Sequence, residues 1–129
     1  MTSHPGIVLI ETDGITLELY QRELRKSFTV FGFTGTENVL ETIANQDVRA
    51  VVVDPGIQGG KGWDLIQDIK SRFPARHIPI VVCSTLDPGN TRKDVKVTKY
   101  LTKPVLPIAL RERILEVIEK QKAAETPHD

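Results

Sequence analysis

Short continuous apolar runs punctuate this chain, and the stretches between them repeat their apolar residues at helical spacing. Ile7-Val8-Leu9-Ile10 is the first run and predicts a buried strand that ends in Glu11-Thr12-Asp13-Gly14. From Ile15 to Lys26 the spacing turns helical, with Ile15, Leu19 and Leu24 or Phe28 expected to face inward. Thr29 to Phe33 is a second strand candidate weakened by Gly32, and Thr36 to Asn45 a second helix with Val39, Leu40 and Ile43 on one face. Val51-Val52-Val53 is the most strand-like run. β-Branched residues without polar alternation predict burial on both faces, and Asp54-Pro55-Gly56 ends the run. Trp63 to Phe73 reads as a third helix striped by Leu65, Ile66 and Ile69, with Pro74 beyond its end.

Ile78 to Cys83 predicts a fourth strand leading to Ser84-Thr85, and Val97 to Leu101 a fifth leading to Thr102-Lys103-Pro104. The segment between them, Leu86 to Lys96, contains Pro88-Gly89 and leaves room for a shortened fourth helix at most. Ile108 to Lys120 closes the pattern as a helix with Ile108, Leu115 and Ile118 inward and Arg111, Glu112, Glu116 and Lys120 outward; residues 123–129 are expected to fray. Strand and helix in regular alternation imply an α/β, doubly wound sheet. The whole chain, 1–129, is expected to be one domain with a core spanning about residues 7–122.

Composition narrows the function. Lys plus Arg and Asp plus Glu number 17 each, so no basic excess points to nucleic acid and no basic cluster to lipid. Cys83 is the one cysteine, which excludes an internal disulfide and fits a reducing cytoplasm. No signal peptide and no membrane-length apolar run are visible, so a cytoplasmic location is expected. The glycines of Gly56-Ile57-Gln58-Gly59-Gly60-Lys61-Gly62 match neither GxGxxG nor the P-loop order. His4, His77 and His128 lack metal-ligand spacing, and Cys83 reads as a small core residue.

The candidate chemistry lies at the strand ends. In a parallel sheet Glu11-Thr12-Asp13, Asp54, Ser84-Thr85 and Lys103-Pro104 share one edge, where ligands gather. Clustered carboxylates suit a hard divalent cation, and a carboxylate beside a cation is a nucleophile for a phosphoryl group. A lysine and a hydroxyl then suit the phosphoryl oxygens.

The pieces IVLIETD, AVVVD with Gly62 eight residues on, IPIVVCST thirty residues from Asp54 to Ser84, and KYLTKP resemble, in order, the receiver (CheY-like) domain of two-component response regulators. The resemblance implies a flavodoxin-like three-layer sandwich with strand order 2-1-3-4-5. It implies Asp54 as phosphoacceptor, Glu11 on the metal side, Ser84 and Lys103 on the phosphoryl group, a cis bond before Pro104, Tyr100 as a switch ring, and the Gly56 carbonyl completing a Mg²⁺ shell.

Three departures accompany it. Thr12 stands where a second acid is usual, with Asp13 one position later and its inward reach open. Gln58 stands where the family has proline, and Ser84 to Lys103 is shorter than usual. Weak Mg²⁺ binding follows. The implied protein is not an enzyme; it takes its phosphoryl group from a histidine kinase or phosphotransfer protein and passes the signal to a separate output protein. Nucleic acid and membrane are not expected partners, and oligomeric state is left open. Two rivals accompany this reading: a pseudo-receiver that docks without phosphorylation, and a flavodoxin-like cofactor binder, which lacks a phosphate-binding first loop.

Overall fold

The central strands are apolar on both faces because helices cover both faces. A computed structural model of the chain describes residues 4–85 and 94–125. Five strands, β1 (Gly6–Ile10), β2 (Thr29–Phe33), β3 (Val48–Val53), β4 (Ile80–Ser84) and β5 (Lys99–Thr102), pair in parallel in the order β2-β1-β3-β4-β5. Four α-helices lie among the described residues: α1 (Gly14–Leu24), α2 (Val39–Asn45), α3 (Lys61–Arg72) and α4 (Pro107–Glu125). The expected shortened helix falls mostly on residues 86–93, outside the described residues; 94–98 hold turn and irregular backbone.

Alternation along each strand sorts the core into two clusters. Val8, Ile10, Val51, Val53, Ile80 and Val82 point to one face, where Val39 and Ile43 of α2 and Leu65, Ile66 and Ile69 of α3 meet them. Ile7, Leu9, Ala50, Val52, Val81 and Cys83 point to the other, covered by α1 and α4. Each fully buried Val, Leu or Ile contributes about 1.5–3 kcal/mol, so this continuous double layer supplies the main stabilisation.

The α1 face differs from the expected one. Ile15 is 73% exposed and Leu19 50%, whereas Leu17, Tyr20 and Leu24, at i, i+3 and i+7, are buried with Phe28 beyond them. Tyr20 belongs to the core because its hydroxyl donates to the Val105 carbonyl at 2.9 Å, so its polar tip is satisfied. In α4 the face shifts in part: Ile118 is buried as expected, but Ile108 is exposed and Leu110, Ile114 and Val117 are buried with Ile118. α4 also continues past Lys120 to Glu125, so residues 123–125 are helical rather than frayed; 126–129 lie outside the described residues. Strands β4 and β5 begin two residues later than their apolar runs, and α2 begins at Val39 because Asn38 is left-handed (φ 66°).

Candidate functional site

Register brings the strand ends together. Ile10 pairs with Val53 and Val53 with Val82, so Glu11 and Asp54 leave adjacent strands side by side; Ser84 pairs with Thr102, which places Lys103 just beyond. All five strands are parallel, and the expected residues therefore share the carboxyl edge of the sheet.

Lys103 is the hub of this edge. Its Nζ donates to Glu11 Oε1 and, at 3.3 Å, to Asp54 Oδ2. Its backbone N–H donates to the Ser84 carbonyl at 2.9 Å, and the Lys103–Pro104 peptide bond is cis, as expected. Glu11 is 4% exposed and also accepts the Asp13 N–H at 3.1 Å through Oε2; Ser84 is 2% exposed. A buried carboxylate and a half-buried ammonium are tolerated here because each is paired and hydrogen-bonded. Desolvation pulls the Lys103 ammonium towards a lower pKa, but the hydrogen bond and charge of Glu11, joined by Asp54, outweigh it and hold the group above its ordinary value.

Asp54 is half-buried and opens a short, hydrogen-bonded loop. Its Oδ1 accepts the Gly56 N–H at 3.0 Å, and its backbone carbonyl accepts the Ile57 N–H at 3.2 Å. Gly62, eight residues on, lies directly against this loop. A β-carbon there would stand 2.9 Å from the Asp54 carbonyl oxygen and closer still to the Pro55 Cα, so only glycine lets α3 approach.

The acids that sequence spacing grouped do not all converge. Asp13 turns away from the edge to cap α1: its Oδ2 accepts the Thr16 N–H at 3.1 Å and the Thr16 hydroxyl. That hydroxyl bond, with the backbone one, holds the Asp13 carboxyl below its ordinary pKa. Thr12 is exposed, and among the described residues no group of three His, Cys, Asp or Glu stands where it could hold a metal ion. The donor set placed at this edge is two carboxylates, Glu11 and Asp54, which meet on Lys103 Nζ. It fits Mg²⁺ in the mode in which one or two carboxylates share the ion with phosphate oxygens and water, and it fits no closed all-protein cage.

Tyr100 is half-buried in β5, with its ring centroid 6.4 Å from that of Trp63 and its hydroxyl buried without a hydrogen-bond partner among the described residues. Cys83, buried on the α1–α4 face, has its thiol pushed up to about 11 by desolvation. Sequence spacing missed two features of this edge. One is the Glu11–Lys103 ion pair, a contact across 92 positions that no local pattern signals. The other is a bridge from Gln58 to the β2–α2 loop: Gln58 Oε1 accepts the Thr36 N–H at 3.2 Å and the Thr36 hydroxyl at 3.3 Å.

Comparison with known proteins adds three findings. Residues 7–115 match the family model of the response regulator receiver domain. Over 113 residues the chain is 29% identical to the sensory/regulatory protein RpfC of Xanthomonas campestris pv. campestris, covering 83% of this chain but spanning only 16% of the length of that relative. Among solved structures, a response regulator receiver domain protein (CheY-like) from Methanospirillum hungatei matches with a TM-score of 0.83 at 19% identity, covering 95% of this chain and 99% of that one. The chemotaxis response regulator CheY4 of Vibrio cholerae matches with a TM-score of 0.79 at 15% identity, covering 89% and 99%. At these identities the structural matches show the fold alone.

Proposed function

We infer the function of this chain from the premise that it belongs to the response regulator receiver family: it is a phosphoacceptor that takes a phosphoryl group on Asp54 and signals through protein contacts. It is not an enzyme acting on a separate substrate. The observation that carries the reading is the convergence of Lys103 Nζ on Asp54 Oδ2, at 3.3 Å, on the edge that also holds Ser84. An Asp carboxylate is the nucleophile; Lys103 and Ser84 supply a positive charge and a hydroxyl for the phosphoryl oxygens.

In the transfer step an Asp54 oxygen forms a new bond to phosphorus while the bond from phosphorus to the donor's imidazole nitrogen breaks. The electron pair leaves with the imidazole, which takes up a proton. Glu11, Asp54 and the Gly56 carbonyl would hold a Mg²⁺ ion, which would supply charge compensation for the phosphoryl oxygens. Lys103 leaves its resting contact with Asp54 and keeps Glu11, so one ammonium serves the resting carboxylate and then the phosphoryl group. The phosphodonor is a histidine kinase or phosphotransfer protein. Exposed Ile15 and Leu19 of α1, with Leu106 and Ile108 at the start of α4, flank this edge as an apolar rim for that partner. A cytoplasmic location is supported by the single buried, unpaired cysteine; no helix among the described residues is long and apolar enough to cross a membrane.

A second reading, a pseudo-receiver that docks without phosphorylation, is favoured by one observation: among the described residues a third acid does not join Glu11 and Asp54, and Lys103 already bridges those two. Phosphorylation by a small phosphodonor, compared between the native chain and Asp54→Asn, separates the two readings.

A further inference from the structure

Three consecutive residues of the Asp54 loop are left-handed: Gln58 (φ 48°), Gly59 (φ 70°) and Gly60 (φ 97°). Glycine takes such angles without strain, but a residue with a β-carbon does not. Gln58 is held there by its own side chain. Its Oε1 accepts both the N–H and the hydroxyl of Thr36, at 3.2 and 3.3 Å, and its amide lies against Gly35, where a β-carbon would come within 3.3 Å of it. Proline, the residue the family has here, is locked near φ −65° and has no acceptor to offer Thr36. This chain therefore holds the loop by a different device.

The strapped loop is the one that starts at the phosphoacceptor. Asp54 Oδ1 accepts the Gly56 N–H, the Asp54 carbonyl accepts the Ile57 N–H, Ile57 accepts from Gly60, and Gly60 accepts from Trp63 at the first turn of α3. Gln58 sits in the middle of that chain of bonds. Across the strap, Phe33, Thr34, Gly35, Glu37, Asn38 and Gln58 line a polar cleft of about 430 Å³ on the carboxyl side of β2. One glutamine amide thus ties the two loops together.

We propose that Gln58 is a positioning residue for phosphorylation: its strap to Thr36 holds the loop from Asp54 to Gly60, and Gly56 within it, in the arrangement that accepts the ion and the phosphoryl group. The proposal rests on the phosphoacceptor reading. With only two carboxylates in the donor set, the fixed place of Gly56 matters more to ion binding than it would with three.

The test uses Gln58→Gly, Thr36→Val and the double variant of the full chain. Gln58→Gly removes the strap and leaves a residue that adopts the left-handed angle freely, so the variant folds. The readouts are hydrogen exchange of the amide at position 36 and half-saturation by Mg²⁺ with beryllofluoride, followed by Trp63 fluorescence. In Gln58→Gly the position-36 amide exchanges faster, and half-saturation rises about fivefold, the effect of one or two lost hydrogen bonds. Thr36→Val, which keeps the N–H, gives a smaller rise, and the double variant is no worse than Gln58→Gly alone. Unchanged half-saturation in Gln58→Gly beside a saturable native response overturns the positioning role and leaves the phosphoacceptor reading standing. A native chain that shows no saturable response at all sinks the phosphoacceptor reading, and this proposal with it.

Discussion

Replacing Thr12 by Asp supplies the acid that the edge lacks, and the structure sets how much that is worth. In the native chain both carboxylates of the edge are already engaged. Glu11 is held by Lys103 and the Asp13 N–H, while Asp54 is held by Lys103 and the Gly56 N–H. An incoming Mg²⁺ would have to displace Lys103 from Asp54, so weak native binding is the expected outcome. A carboxylate at position 12 has no such competitor. Two unit charges 4 Å apart attract by about 4 kcal/mol at an effective dielectric of 20 and by about 1 kcal/mol in water. Thr12 is exposed, so the water value applies; a divalent ion doubles it to about 2 kcal/mol, and salt screening reduces it further. About 1.4 kcal/mol remains, a tenfold gain in affinity. Calorimetric titration with MgCl₂ at fixed ionic strength measures it, and phosphorylation by acetyl phosphate should speed up in parallel. Asp13 is committed to capping α1 and does not fill the missing place. Unchanged Mg²⁺ affinity in Thr12→Asp would therefore refute the assignment of this edge as a metal site.

Gly62→Ala forces a β-carbon into the backbone of Asp54 and Pro55; urea unfolding should show a loss of about 2–3 kcal/mol, the upper range for overpacking, and phosphorylation should slow because the loop moves. Lys103→Met leaves Glu11 buried without its cation. Breaking a fully buried pair costs about 3–5 kcal/mol, and the 17% exposure of the Lys103 side chain lowers the expected loss to about 2–3 kcal/mol in urea unfolding at neutral pH. Cys83 has its thiol raised to about 11, so the folded state holds that proton more firmly than the unfolded chain does. Its contribution is fully present below the ordinary thiol pKa of about 8.5 and is lost as pH rises towards 11. Melting temperature should fall across that alkaline window and fall less in Cys83→Ala; an identical slope in the two proteins would contradict the shift.

How much of this could be read from residues alone depended on whether the signal was local. Strand existence was legible because β1, β3 and β4 are apolar on both faces and stop at Glu11, Asp54 and Ser84, where a polar residue meets the sheet edge. The meeting of Asp54 with Lys103 was legible once the strands were parallel, since register then determines which ends are neighbours. The α1 face was not, because Ile15 and Leu19 form a plausible i, i+4 pair and the stronger competitor, Tyr20, needs a hydrogen-bond partner 85 positions away. The fate of Asp13 was open in the spacing, although Asp-x-x-Thr at a helix start is itself a capping signal. Gln58 was visible only as a departure. Its left-handed backbone and its bond to Thr36 are tertiary facts, set by how closely two loops approach.

The central claim is that Asp54 accepts a phosphoryl group. Incubation of the native chain with acetyl phosphate and Mg²⁺, followed by intact mass and peptide mapping, tests it most directly. The account predicts a slow, Mg²⁺-dependent mass gain of one phosphoryl group on the peptide that contains Asp54, absent from Asp54→Asn. No gain at any Mg²⁺ concentration, or a gain that persists in Asp54→Asn, would contradict it.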